Sequence, residues 1–309
     1  MRWKVLLSTI ALGLGGACLI EGVCYEDTDC EGDRICDRSL GLCVEPQPEC
    51  RSDDDCGLGK HCDPDTQTCV DIACTRDEDC RSELLVCQDG RCVFAGPIEC
   101  PEAMVAIDNR YCMDIYEASR PDATETDMGE DCSRAVSRQG VMPWWHNPMD
   151  SSVFDLFKQA CRNAGKHLCT EQEWFTVCIG PEGHSYFFGD VFDVETCNCV
   201  DTFCDDYCIE HGIDLADCPL GANCGYTFES FHDVPCGTFP DCTNSYGVFD
   251  LAGNAWEIVE TSAGGYQVRG GAFNCAGARE RLKCTFNATW SALYAGFRCC
   301  WTPGVDPQP

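Results

Sequence analysis

Thirty-one of the 309 residues are cysteine, and twelve of them fall into a repeat near the N-terminus. C-Y-E-D-T-D-C-E-G-D-R-I-C-D-R-S-L-G-L-C-V begins at Cys24. C-R-S-D-D-D-C-G-L-G-K-H-C-D-P-D-T-Q-T-C-V follows at Cys50, and C-T-R-D-E-D-C-R-S-E-L-L-V-C-Q-D-G-R-C-V at Cys74. Each unit has four cysteines, an Asp before the second (Asp29, Asp55, Asp79) and a Val after the fourth. A unit this short cannot bury enough apolar surface to fold unaided, so two bridges per unit are the expected staple. Spacing leaves their connectivity open. The clustered carboxylates lack the D-x-D-x-D-G order of an EF-hand loop, and residues 24–93 read as a solvated spacer. Cysteine at this density belongs to an oxidising compartment.

The N-terminus agrees with export. Arg2 and Lys4 precede an apolar run from Val5 to Leu14 and the small residues Gly15, Gly16 and Ala17. Residues 1–17 therefore read as a signal peptide, too short in its apolar part to span a bilayer. L-G-G-A-C resembles a bacterial lipobox, which would make Cys18 a lipidation site and residues 18–23 the start of a lipid-anchored chain. Removing Cys18 leaves an even number of cysteines. The alternative is ordinary cleavage near Ala17, with one thiol left over. Either way the destination is the cell envelope or cell surface, and a membrane is touched only through the anchor. The formal net charge of -31 argues against nucleic acid and anionic lipid as partners, because both are polyanions.

Gly96-Pro97 and Pro101 mark residues 94–100 as a linker, after which residues 101–302 form the main domain and 303–309 a tail. M-V-A-I-D-N-R-Y-C-M-D-I-Y-E-A-S alternates as strands do. Val153, Phe154, Leu156, Phe157, Ala160, Cys161 and Ala164 recur at helical spacing after Ser151 and Ser152, and Gly165 ends the helix. Thr170 and Glu173 have the spacing of a capping box and open a second short helix. C-N-C at Cys197 and C-D-D-Y-C at Cys204 could bind zinc, but the oxidising context favours disulfides.

The densest chemistry lies between Phe239 and Cys275. In Y-G-V-F-D-L-A-G-N-A-W-E, Asp250, Asn254 and Glu257 sit within a tight run, and the small residues Gly253 and Ala255 leave backbone carbonyls open. Hard cations such as Ca²⁺ favour that mixture of carboxylate and carbonyl oxygens. The plainer reading is a turn filled by Asn254 and Trp256, with its carboxylates facing water.

Three segments carry a family resemblance: Y-G-V-F-D-L-A-G-N-A-W-E with V-R-G-G-A-F, the closing G-F-R-C, and C-R-N-A-G-K-H-L-C-T-E-Q-E-W-F-T-V-C. Together they resemble the formylglycine-generating enzyme family, the sulfatase-modifying factor domains. His167 stands where Arg is usual in that family and Cys169 where Pro is usual. The resemblance implies an α+β fold with little regular secondary structure, related to C-type lectins, carried behind the small disulfide-rich repeats. It implies the bridges Cys161–Cys299 and Cys178–Cys284. It also implies a structural Ca²⁺ held by side-chain oxygens of Asp250 and Glu257 and carbonyls of Gly253 and Ala255, and it puts Asn198 at one ligand position of a further Ca²⁺ site.

Catalytic members of the family hold Cu(I) between two cysteines five positions apart and convert a substrate cysteine to formylglycine. Cys275 supplies the first. The second position is Glu280, or Arg279 in the other register, and neither offers the thiolate a soft ion prefers. Cys275 is therefore expected in a bridge, with Cys169 or Cys300 as candidate partners, and full pairing would give up to nine disulfides in the domain. A non-catalytic binding or structural module with a protein or glycan ligand is the leading expectation. A copper-dependent oxidase, in which Cys275 is catalytic, and a Ca²⁺-dependent carbohydrate binder are the alternatives.

Overall fold

The computed structural model describes residues 35–37, 42–44, 56, 59–65, 69–146, 151–218, 223–262, 264–288 and 294–306. The leader, Cys18 and most of the first repeat lie outside them.

Each Cys-rich repeat contributes one antiparallel strand pair: β1 (Ile35–Asp37) with β2 (Leu42–Val44), β3 (Lys60–Cys62) with β4 (Cys69–Asp71), and β5 (Leu85–Gln88) with β6 (Arg91–Phe94). The third repeat closes as Cys74–Cys87 and Cys80–Cys92, first to third and second to fourth. In the second, Cys56 pairs with Cys69, again second to fourth. Among the described residues the core there is Ile72, Leu85 and cysteine sulfurs with Phe94 packed against them, small enough to need covalent staples.

The stretch from Phe94 to Cys100 is pinned to the main domain at several points. The Asn109 side chain accepts from the Ile98 N–H at 2.9 Å and donates to the Phe94 and Gly96 carbonyls at 2.6 and 2.8 Å. Cys100 is bonded to Cys112, and Arg110 pairs with Asp71 of the second repeat.

The main domain opens with β7 (Met104–Ile107) and β8 (Tyr111–Asp114), then the short pair β9 (Ala118–Ser119) and β10 (Val136–Ser137). Helix α1 (Ser151–Asn163) buries Val153, Phe154, Phe157, Ala160 and Cys161, the face its apolar spacing predicts. Gly165 follows at φ 73°, a left-handed turn that glycine adopts without a Cβ clash. After β11 (His167–Leu168) comes α2 (Glu171–Ile179). Its capping box is closed: Thr170 Oγ1 accepts from the Glu173 N–H at 3.3 Å, and Glu173 accepts from the Thr170 N–H at 2.8 Å. The long connection beyond it carries α3 (Cys204–Glu210) and α4 (Cys224–Phe228), and then β12 (Trp256–Glu260), β13 (Tyr266–Arg269), α5 (Ala278–Arg281), β14 (Ala295–Phe297) and β15 (Cys299–Trp301) complete the chain.

Two small sheets organise the domain, one ordered β11-β15-β8-β7 and one β13-β12-β14, with β12 and β14 parallel. Strand alternation in β12 sorts its side chains between two cores. Trp256 and Ile258 join α1, Trp144 and Phe297, while Val259 joins Trp174, Phe187 and Leu251. Cys161–Cys299, Cys169–Cys300 and Cys178–Cys284 fasten α1, β11 and α2 to the C-terminal segment over separations of 138, 131 and 106 residues. In the chain-entropy account, a bridge closing a loop of about 100 residues contributes about 4–5 kcal/mol.

Candidate functional site

The Asp250–Glu257 run wraps over the end of the β12 sheet in a conformation few residues adopt. Asp250, Gly253 and Asn254 have φ of 57°, 85° and 52°. A Cβ on Gly253 would come within 2.4 Å of the Asn198 carbonyl oxygen, so only glycine allows that approach. The Asn198 carbonyl also accepts the Asn254 N–H at 2.9 Å, and Asn198 Nδ2 donates to Asn254 Oδ1 at 3.1 Å. Asn254 is the hub of the turn: it brackets Val234 through both backbone groups and donates to Glu117 Oε2 at 2.7 Å.

None of the carboxylates here faces water, so the plain-turn reading fails. Asp250 is 3 % exposed and Glu257 0 %. Glu257 Oε1 accepts from Arg298 Nε and Nη2 at 3.1 and 2.8 Å, and its Oε2 accepts from the Trp174 indole at 2.7 Å. Arg298, itself buried, spends its remaining donors on the Asp114 and Phe249 carbonyls at 2.9 and 2.7 Å. Beside it, Lys166 and Asp114 form a buried pair. Asp250 Oδ2 accepts the Gly237 N–H at 2.5 Å, and Glu117 Oε1 accepts the Ala255 N–H at 2.9 Å.

The charge does not balance. Asp114 has Lys166, but Glu117, Asp250 and Glu257 share the single guanidinium of Arg298. Burial, and then the neighbouring Asp250 and Glu257, push the Glu117 carboxyl well above its usual range. Burial likewise raises Asp250, against the Gly237 N–H and Arg298, and raises Glu257. Such a cluster needs protons or a cation. Asn198 adds an oxygen: its Oδ1 is buried and has no hydrogen-bond partner. Surplus carboxylate charge and an orphaned amide oxygen are the donor types a hard dication favours, although among the described residues these carboxylates do not bring three ligand oxygens within 4.8 Å of one another. Sequence reasoning placed Asp250 and Glu257 here and assigned Asn198, which the structure brings beside them, to a further Ca²⁺ site; it missed Glu117, Asp114 and Arg298. The Glu of Y-E-A-S and the Arg of G-F-R-C stood in the matched motifs without an assigned role.

Cys275 does not form the expected bridge. Cys169, directly after β11, and Cys300 on β15 are bonded to one another, so neither is available to it. Cys275 remains a buried thiol whose Sγ accepts the Ala272 N–H at 2.9 Å, and burial pushes it up to about 12. Cys199 and Cys236 are also buried thiols, so the domain's cysteines do not all pair. Cys236 lies 3.7 Å from Glu117 Oε2, at the edge of the carboxylate cluster.

The two candidate positions for a second copper ligand lie elsewhere. Glu280, on α5, keeps 67 % of its side chain exposed and binds Lys283 at 2.7 Å. The Arg279 guanidinium sits 5.0 Å from the centre of the Phe192 ring. Among the described residues three groups bring potential metal ligands together: Cys74, Cys80 and Cys92; His167, Glu173 and Cys300; and Asp201, Cys204 and Cys224. Every sulfur in them is oxidised, which removes the thiolate that zinc would need. C-D-D-Y-C is consumed by Cys204–Cys224 and Cys208–Cys218, and Cys197 pairs with Cys242.

No curated protein sequence matches this chain. Among solved structures, PvdO from Pseudomonas aeruginosa is similar at 18 % identity and a TM-score of 0.33, over 67 % of this chain and 86 % of its own. The P3c variant of Major Tropism Determinant is similar at 13 % identity and a TM-score of 0.36, over 72 % of this chain and 60 % of its own. The I1 variant gives 12 % identity and a TM-score of 0.35, over 76 % and 62 %. Residues 145–303, just over half of the chain, match the family described as Sulfatase-modifying factor enzyme 1-like domain. That span holds α1, α2, the Asp250–Glu257 turn, Cys275 and Arg298, and the chain belongs to this formylglycine-generating-enzyme-like family.

Proposed function

We propose that the chain is an exported, surface-anchored binding or structural protein, whose domain keeps the family scaffold, stabilised by Ca²⁺, without its cysteine-oxidising chemistry. The observation that carries this reading is that the position paired with Cys275 in catalytic members holds Glu280 or Arg279 in place of a second cysteine. Two-coordinate Cu(I) needs a second soft ligand. Glu280 offers a hard carboxylate that points into solvent toward Lys283. A thiol held up near 12 by burial also resists the deprotonation that metal binding requires. Export is supported by the ten disulfides defined between described residues, together with the signal-like leader.

Asp250, Glu257 and the carbonyls of Gly253 and Ala255 would hold the Ca²⁺, with Glu117 and Asn198 at its margin. The ion would supply the positive charge that Arg298 alone does not, and so join the turn to β12. Its role would be folding energy, not chemistry.

A second reading has one observation in its favour. Cys275 is free, and Cys199, another buried thiol, lies near enough to oppose its ionisation. Copper titration separates the two readings. Under anaerobic, Cu(I)-buffered conditions the intact protein should bind no stoichiometric copper. One equivalent bound, and lost in both Cys275→Ser and Cys199→Ser, would establish the oxidase reading instead.

A further inference from the structure

We propose that the loop closed by the Cys208–Cys218 disulfide is a docking element for a basic protein segment with an apolar face. Both cysteines are buried, yet every residue between them is exposed except the half-buried Ile213. Ile209 and Leu215 leave 60 % and 45 % of their surface in water. Glu210, Asp214 and Asp217 are interleaved with them. Covering such aliphatic side chains with a partner removes apolar surface from water and so favours binding.

The loop is held rigid. Ile213 N–H donates to the Cys208 carbonyl at 2.8 Å, and the Asp217 N–H to the Asp214 carbonyl at 2.8 Å. Asp214 Oδ1 accepts the Ala216 N–H at 2.9 Å. The His211 ring stacks on Tyr207 with centroids 4.0 Å apart, and Cys204–Cys224 fastens α3 to α4. A preorganised element loses little entropy on binding.

Charge selects the partner. Between Lys166 and Arg269 the sequence has no Lys or Arg at all, while Asp and Glu occur 18 times. A second copy would bring like charge against like. A surface bearing Lys or Arg around an apolar strip complements both the carboxylates and the aliphatic side chains. This inference rests on the reading that the protein binds a partner. It does not involve Cys275, so its failure would leave the copper test unaffected.

The test is calorimetric titration of the full chain at about 0.15 M salt, where long-range attraction is screened. The probes are a synthetic Leu/Lys amphipathic helix, its Leu/Glu counterpart and its Ser/Lys counterpart. The Leu/Lys helix should bind at least about tenfold tighter than the other two. Ile209→Ser combined with Leu215→Ser should weaken that binding at least about fivefold. Val191→Ser, at a residue 80 % exposed outside the loop, should leave it unchanged. Equal binding of the Ser/Lys helix, an equal loss in Val191→Ser, or no binding of the Leu/Lys helix would overturn the proposal. So would self-association of the wild type that the double variant abolishes, since the occupant would then be a second copy.

Discussion

Removing the Arg298 guanidinium should be the most damaging single change in the domain. Arg298→Met keeps a long apolar side chain but deletes two hydrogen bonds to Glu257 and one each to the Asp114 and Phe249 carbonyls. It also removes the cation that, among the described residues, faces three buried carboxylates. Breaking a buried pair by deleting one partner costs about 3–5 kcal/mol, because the other charge stays buried. At about 2–4 °C per kcal/mol for a domain of this size, the melting temperature should fall by about 6–20 °C. Near-UV circular dichroism with the disulfides intact reads this directly. Adding Glu257→Gln to Arg298→Met should recover part of the loss, because the amide is neutral and its oxygen still accepts the Trp174 indole N–H. A drop of less than about 3 °C in the single variant, or a double variant less stable than the single, would contradict a charge-centred core.

His167 supplies the pH dependence. Burial opposes its charge, but Glu173 and then Asp306 override that and raise its pKa to about 10, while burial of Glu173 is overridden by His167, lowering Glu173 to about 2. The stability from His167 is thus complete below its ordinary 6.5 and lost as pH rises through 10. That from Glu173 is complete above 4.5 and lost as pH falls through 2. The imidazole should show no titration near neutral pH by NMR, and His167→Gln should flatten the alkaline limb of the stability profile; an NMR pKa near 6.5 would refute the latch. Alkylation of the native protein at pH 8 should spare Cys199, Cys236 and Cys275, and denaturation should expose all three to mass-spectrometric detection; rapid native labelling of Cys275 would show it to be accessible. Ca²⁺ at 1,000 times its dissociation constant should stabilise the fold by about 4 kcal/mol. Chelation should reverse that gain, and Asp250→Asn should diminish it; a melting temperature indifferent to Ca²⁺ would remove the ion from the scaffold.

What could be read from the sequence was local. The spacing of Val153, Phe157, Ala160 and Cys161 defines one face of α1 without help from the rest of the chain, and Thr170 with Glu173 specifies its own helix start. The Asp250–Glu257 turn was visible because its residues are contiguous. Its partners were not: Glu117 lies over 130 positions upstream of Asn254, and Arg298 41 positions beyond Glu257. Nothing local marks such residues as buried. Cys161–Cys299 and Cys178–Cys284 form as the resemblance implied, but the bridge expected at Cys275 does not, for the same reason. Cys169 and Cys300 meet only because β11 and β15 are neighbours in a sheet, and that pairing leaves Cys275 unbridged. The Cys208–Cys218 loop looked like any polar, loop-rich stretch, because its significance lies in which side chains fail to find cover.

The most direct measurement is turnover. A cysteine-containing peptide incubated with the purified protein, Cu(I) and oxygen should be recovered unchanged by mass spectrometry, with no aldehyde product. Conversion of that cysteine to formylglycine, dependent on copper and abolished in Cys275→Ser, would contradict a scaffold that has lost its chemistry.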